Sequence, residues 1–122
     1  MDPRVQTVIT LIGNDLEHEL SLNELVRLVN LSPSHLQRLF KADLGMTTFR
    51  YMKLLRMQRA KYLLESSFLS VKEIMKIVGI NNRSHFVKDF KKRYGRTPTQ
   101  LRLSRPSDKD AALKRSVAMV AQ

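Results

Sequence analysis

The chain has 122 residues, 43% of them hydrophobic and 7% aromatic, with a net charge of +11 and no cysteine. That length suits one domain or two very small ones. The missing cysteine excludes disulfides and thiolate metal sites and fits a reducing compartment. No apolar run approaches the ~20 residues that span a bilayer, and the opening MDPRVQ lacks the basic-then-apolar order of a secretory signal, so a soluble cytoplasmic protein is expected.

Asp2-Pro3 is an N-cap followed by proline at the first helical position, and Val5, Val8, Ile9, Ile12 and Leu16 follow at helical spacing. A first helix is therefore expected over 3–18. Ser21 and Glu24 form a capping box for a second helix, whose apolar face is Leu22, Leu25, Val26 and Val29. Asn30 can end it in the left-handed conformation, and Ser32-Pro33 starts a third. There Leu36, Leu39 and Phe40 face inward, while Ser34, Gln37, Arg38 and Lys41 face out. A helix, a short turn and a second helix make a helix-turn-helix.

Gly45 ends that unit, and Thr47 or Thr48 caps a longer helix to about Ser66. Its apolar residues lie on more than one face: Phe49, Met52, Leu55, Leu63 and Leu64, but also Tyr51, Leu54, Met57 and Tyr62. A helix apolar over so much of its circumference is packed on both sides, which suggests a rod of ~27 Å between two small bundles. Ser70 and Glu73 form a second capping box, Ile74, Ile77 and Val78 bury the next helix, and Gly79 ends it. Asn81 and Asn82 suit a turn and cap. Phe86, Phe90 and Tyr94 recur at i, i+4 and i+8 on the helix that follows, and Thr97-Pro98 starts a last short one through about Leu103.

The chain repeats itself. Ser21, Leu22, Glu24, Leu25, Leu28, Val29 and Leu31 match Ser70, Val71, Glu73, Ile74, Ile77, Val78 and Ile80 at an offset of 49. From the turn onward the offset is 50: Ser34-His35-Leu36 matches Ser84-His85-Phe86, Arg38 matches Lys88, Phe40-Lys41 matches Phe90-Lys91, and Gly45-x-Thr47 matches Gly95-x-Thr97. A solenoid needs about three repeats or more, so two units on a shared rod fit better. The expected fold is all-α, about seven helices, with two helix-turn-helix subdomains joined by a long linker helix. The expected boundaries are a first subdomain over 1–46, the linker over 47–66, a second subdomain over 67–103, and a flexible tail over 104–122 with one fraying helix over 111–120.

Charge follows this division. Residues 1–31 carry a net −3, whereas residues 32–105 hold 17 Lys and Arg against four acids, a net +13. A basic body points to a polyanionic partner. Duplex DNA is favoured over a membrane surface, because the apolar positions are needed for a core instead of one long exposed face. Two helix-turn-helix units on one chain can enter successive major grooves about 34 Å apart, so the chain carries both half-site readers and can bind as a monomer. The competing reading is a basic adaptor or architectural domain that coats DNA without reading it or docks an acidic protein. An enzyme is disfavoured: there is no phosphate-cradling glycine loop, and the three histidines are dispersed.

With both motifs in view, residues 4–103 resemble the DNA-binding domain of the AraC/XylS family of bacterial transcription regulators. The second unit carries the resemblance through Gly79, Phe86, Phe90, Gly95, Thr97, Pro98 and Arg102. The first supplies Ser32, Leu36, Arg38, Phe40, Lys41 and Gly45, and the segment Tyr51–Leu64 with Arg56 and Ala60 also looks typical. Ile80, Val26, Met75 and Leu101 depart from the family pattern. The resemblance implies a sequence-specific regulator, commonly an activator contacting RNA polymerase. Many relatives carry a separate ligand-binding domain, and dimerisation would require such an additional domain. No cofactor is implied.

The outward faces supply the candidate contacts. In the first unit Ser34, Gln37 and Arg38 are the base-reading candidates, since Gln pairs bidentately with adenine and Arg with guanine. In the second they are Arg83, Ser84, Val87 and Lys88. Val87 is either a thymine-methyl contact or a flank of the Phe86–Phe90 core. Phosphate contacts are expected at the helix starts Thr47, Thr48 and Thr97, where N–H groups and the helix dipole favour an anion, and at Lys41, Lys53, Lys91, Lys92 and Arg96. His35 and His85 occupy matching positions beside core residues. No metal site and no catalytic residue are expected.

Overall fold

The computed structural model describes residues 1–18 and 20–105. Among them it contains seven helices and no strand: α1 Pro3–Asn14, α2 Leu22–Val29, α3 Pro33–Leu44, α4 Thr48–Ser66, α5 Val71–Val78, α6 Arg83–Tyr94 and α7 Pro98–Leu103. The all-α expectation holds. The tail expected over 104–122 lies, beyond Arg105, outside the described residues.

Side-chain caps set the helix boundaries. Ser21 with Glu24 and Ser70 with Glu73 form reciprocal capping boxes at α2 and α5, each supplying acceptors to N–H groups the helix itself cannot satisfy. Ser32 and Asn82 cap α3 and α6, accepting from the His35 and His85 N–H groups. Thr47, not Thr48, caps α4 by accepting from the Arg50 N–H. Helices α2, α3, α5 and α6 end on left-handed residues: Asn30, Gly45, Gly79 and Gly95.

One boundary differs from expectation. Helix α1 stops at Asn14, not near residue 18, with Asp15 out of helical conformation. Gly13 and Asn14 are poor helix formers, and the Asp15 carboxylate turns back to the His18 ring at 2.9 Å. Leu16 still reaches the first core, but from the connection between α1 and α2.

Two buried clusters share α4. The first joins Val5, Val8 and Ile12 of α1, Leu25 and Val29 of α2, Leu36 and Phe40 of α3, and Met52 of α4. The second joins Met57, Ala60 and Leu64 of α4, Ile74, Met75 and Val78 of α5, and Phe86 and Phe90 of α6. Each Val, Leu, Ile, Phe or Met side chain so buried contributes ~1.5–3 kcal/mol. The linker thus serves as the last helix of one bundle and the first of the next, which explains its broad apolar surface. Three positions read as apolar-facing are nevertheless open to solvent, Phe49 at 59% exposure, Tyr62 at 60% and Ile77 at 45%, as is Leu28, the repeat counterpart of Ile77, at 66%. Periodicity marks the side of a helix but not how far the neighbouring helix extends over it.

Side chains of α4 also reach into each half. Arg56 of α4 donates its Nε to the Leu16 carbonyl at 3.2 Å, and Lys53 of α4 pairs with Asp89 of α6 at 2.8 Å.

Candidate nucleic-acid interface

Helices α3 and α6 occupy the same place in their two bundles. Leu36 and Phe40 hold α3 on the first core, and Phe86 and Phe90 hold α6 on the second, all four essentially inaccessible. Anchoring on an i, i+4 pair turns the opposite face out. Ser34, Arg38 and Lys41 are exposed on α3, and Arg83, Ser84, Lys88, Lys91 and Lys92 on α6. The cations Lys91, Lys92 and Arg93 sit in the last turn of α6, where the negative end of the helix dipole favours them. Asp89 alone interrupts this basic face. The Lys53 ammonium beside it holds its carboxyl below the usual carboxylate range.

Gln37 and Thr48 turn inward. The Gln37 amide donates to the Thr48 hydroxyl and accepts the Thr48 N–H, both at 3.3 Å, and Thr48 is only 2% exposed. This latch ties α3 to the start of α4. A base edge or a phosphate would have to displace it to engage either side chain. The repeat shows why: Gln37 corresponds to Val87 and Thr48 to Pro98. Proline has no N–H to satisfy, so the partner position can be apolar, and Val87 is half-buried while Pro98 is buried.

The helix starts expected to grip phosphate are partly occupied. At α4 the Thr48 N–H is taken by Gln37 and the Arg50 N–H by Thr47. At α7 Thr97 and Gln100 form a capping box that takes the N–H of each, a feature that the sequence reading passed over. These caps leave the Thr47 and Phe49 N–H groups at α4 and the Thr99 N–H at α7. Lys41 and Arg96 are exposed as expected. Lys53, though exposed, is committed to Asp89. His35 is half-buried and His85 exposed, and among the described residues no His, Cys, Asp or Glu cluster could hold a metal.

Two arginines outside the predicted set close the second bundle. Arg102 donates its Nε to the Leu64 carbonyl at 3.1 Å, and Arg105 donates Nη1 to the same oxygen at 3.1 Å. They satisfy the end of α4 as Arg56 satisfies Leu16, so an arginine from the helix after each Gly-x-Thr turn, or just beyond it, reaches back in both halves. Burial pushes the Arg102 guanidinium down from its usual range.

A helix-turn-helix domain family matches residues 25–104, more than half the chain. The C-terminal domain of AraT, a response regulator from Geobacillus stearothermophilus, is similar at 30% identity with a TM-score of 0.78, over 88% of this chain and 90% of that one. A transcriptional regulator with an AraC-type DNA-binding domain from Chromobacterium violaceum is similar at 28% identity and TM-score 0.78, over 87% and 95%. The chain belongs to the AraC/XylS family.

That family consists of DNA-binding transcription regulators. A curated relative, the regulator GbdR of Pseudomonas aeruginosa, is 33% identical over 104 residues, covering 85% of this chain but 28% of that protein. The chain thus spans less than a third of that relative's length. Its departures from the AraC/XylS pattern fall on core positions: Val26 packs against the first cluster, Ile80 and Leu101 against the second, and Met75 is buried within it. None alters the exposed faces of α3 and α6. No helix among the described residues is long and apolar enough to cross a membrane.

Proposed function

We propose that this domain binds duplex DNA at specific sites and regulates transcription, with α3 and α6 entering successive major grooves. Ser34 and Arg38 read one half-site, and Arg83, Ser84 and Lys88 read the other. Lys41, Lys91, Lys92 and Arg96 hold phosphates, joined by the starts of α4 and α7 at the exposed Thr47 and the half-buried Thr97. The supporting observation is the repeated, exposed, basic-polar face on two helices anchored identically to one linker. Residues 1–46 and 67–103 act as two readers around the linker 47–66, so one chain suffices for both half-sites. Activation through contact with RNA polymerase, on the chromosome in the bacterial cytoplasm, is the mode that family membership favours.

Titration of the protein against a library of genomic fragments tests this. A preferred sequence bound at least roughly tenfold more tightly than bulk DNA is expected, which is a modest margin for a specific binder. Uniform binding to all fragments would overturn site-specific reading and leave an architectural role.

A further inference from the structure

The two units differ at the residue that ends their first helix. Asn30 closes α2 at φ 54° and Gly79 closes α5 at φ 81°, at the same position of the repeat. Asparagine tolerates the left-handed region, so conformation alone does not require glycine at 79. Space does. A Cβ on Gly79 would lie 2.2 Å from the Leu16 carbonyl oxygen and 2.9 Å from that of Glu17, both backbone atoms of the other half. Gly45 and Gly95 are also left-handed, and a Cβ on either would meet nothing within 4 Å.

Two further contacts lie on the same seam. Arg56 donates to the very carbonyl that Gly79 abuts, and Lys53, one turn earlier on α4, reaches Asp89 on α6. Gly79 therefore makes a backbone-to-backbone contact without clearance, flanked by a hydrogen bond and an ion pair. Such a contact leaves little room for one half to turn about α4 relative to the other.

We propose that this seam is a clasp that fixes the separation and rotation of the α3 and α6 reading faces, so that the domain selects DNA by the spacing between two half-sites. The proposal rests on the DNA-binding reading above. Each base pair added between half-sites moves the second by about 3.4 Å and about 34°. A clasped protein must deform itself or the DNA to follow, whereas an unclasped one can hinge. Gly79 and Arg56 act here as positioning residues that need not touch DNA.

The test uses the selected operator and versions of it with one or two base pairs inserted or removed between half-sites, compared by fluorescence anisotropy at fixed salt. Wild-type protein is expected to lose roughly tenfold in affinity on a one-pair change, comparable to a mismatched base. Gly79→Asn and Arg56→Gln are expected to lose less than about threefold on the same change, while binding the original site more weakly. Gly95→Asn, with the same backbone conformation but open space, should keep the wild-type profile. Equal discrimination in wild type, Gly79→Asn and Arg56→Gln would overturn the clasp. So would equal flattening by Gly95→Asn. If Gly79→Asn fails to fold, Arg56→Gln decides.

A measurement without DNA separates the clasp from the DNA-binding reading. The chain has no cysteine, so spin labels at Ala42→Cys on α3 and Arg93→Cys on α6 report the distance between the halves. A narrow distribution that broadens or shifts in Arg56→Gln supports the clasp even if no operator is found. An unchanged distribution overturns it even if one is.

Discussion

The two halves of this domain solve one packing problem with different residues. In the first, the start of the helix after the turn is a threonine whose N–H and hydroxyl are met by Gln37. In the second, that start is Pro98, with no N–H to donate, and the residue at Gln37's place in the repeat is Val87. Likewise the left-handed end of the first helix is Asn30 in one half and Gly79 in the other, because only Gly79 abuts the other half's backbone. The lesson is that polarity on a recognition helix does not by itself mark a base reader. Gln37 and Val87 look unlike each other, yet they occupy equivalent positions of the repeat, and the contrast becomes intelligible once Thr48 and Pro98 are set beside them.

The largest effect expected from breaking the comparison comes from the cores. Phe40→Ala and Phe90→Ala each remove a fully buried ring and should cost about 3–5 kcal/mol in urea denaturation. Hydrogen exchange would then show whether the clusters are separable. Phe90→Ala should deprotect α5 and α6 while α1 to α3 stay protected, and uniform loss of protection would refute two cores on one rod.

A sharper test exchanges the latches. Gln37→Val alone leaves the buried Thr48 N–H unpaired and should destabilise by about 1–3 kcal/mol. Thr48→Pro alone leaves the Gln37 amide without its partners. The double variant transplants the second unit's solution and should recover to within about 1 kcal/mol of wild type, a coupling that only residues in contact display. Additive losses would show that the two positions do not act as a pair.

On DNA, Arg38→Ala should relax discrimination at one base of the first half-site by about 1–3 kcal/mol. Lys91→Ala should weaken all sequences alike and lower the salt slope by about one. Gln37→Leu should leave base preference unaltered, since its amide is turned inward.

The smallest effect concerns the partly exposed pair Lys53–Asp89, for which Asp89→Asn should cost under about 1 kcal/mol and less in high salt. Because Lys53 holds the folded-state carboxyl below its ordinary value, the pair's contribution is present above about pH 4 and is lost as pH falls through the lower, folded-state value. The stability gap between wild type and Asp89→Asn should narrow in acid and vanish below that point.

Much of the architecture is local and therefore legible in the chain. Capping boxes at Ser21–Glu24 and Ser70–Glu73, proline at the first position of α1, α3 and α7, and the left-handed ends at Asn30, Gly45, Gly79 and Gly95 involve residues a few positions apart. The i, i+4 aromatic pairs and the repeat likewise declare which face of α3 and α6 is buried. The resemblance to the AraC/XylS family rests on residues at these same positions, among them Gly79, Phe86, Phe90 and Gly95.

What the chain could not declare are contacts between residues far apart along it. Gln37 reaches Thr48, Arg102 and Arg105 reach Leu64, Arg56 reaches Leu16, and Gly79 abuts Leu16 and Glu17. Each depends on how one helix lies against another, and periodicity contains no information about that distance. It was likewise the neighbouring helices' reach that left Phe49, Tyr62, Leu28 and Ile77 open. The helices and their order are written in the chain, because caps and periodicity act within a few turns. Which polar residues of the reading helices remain outward is set by packing, because that depends on whether a second element is there to satisfy them.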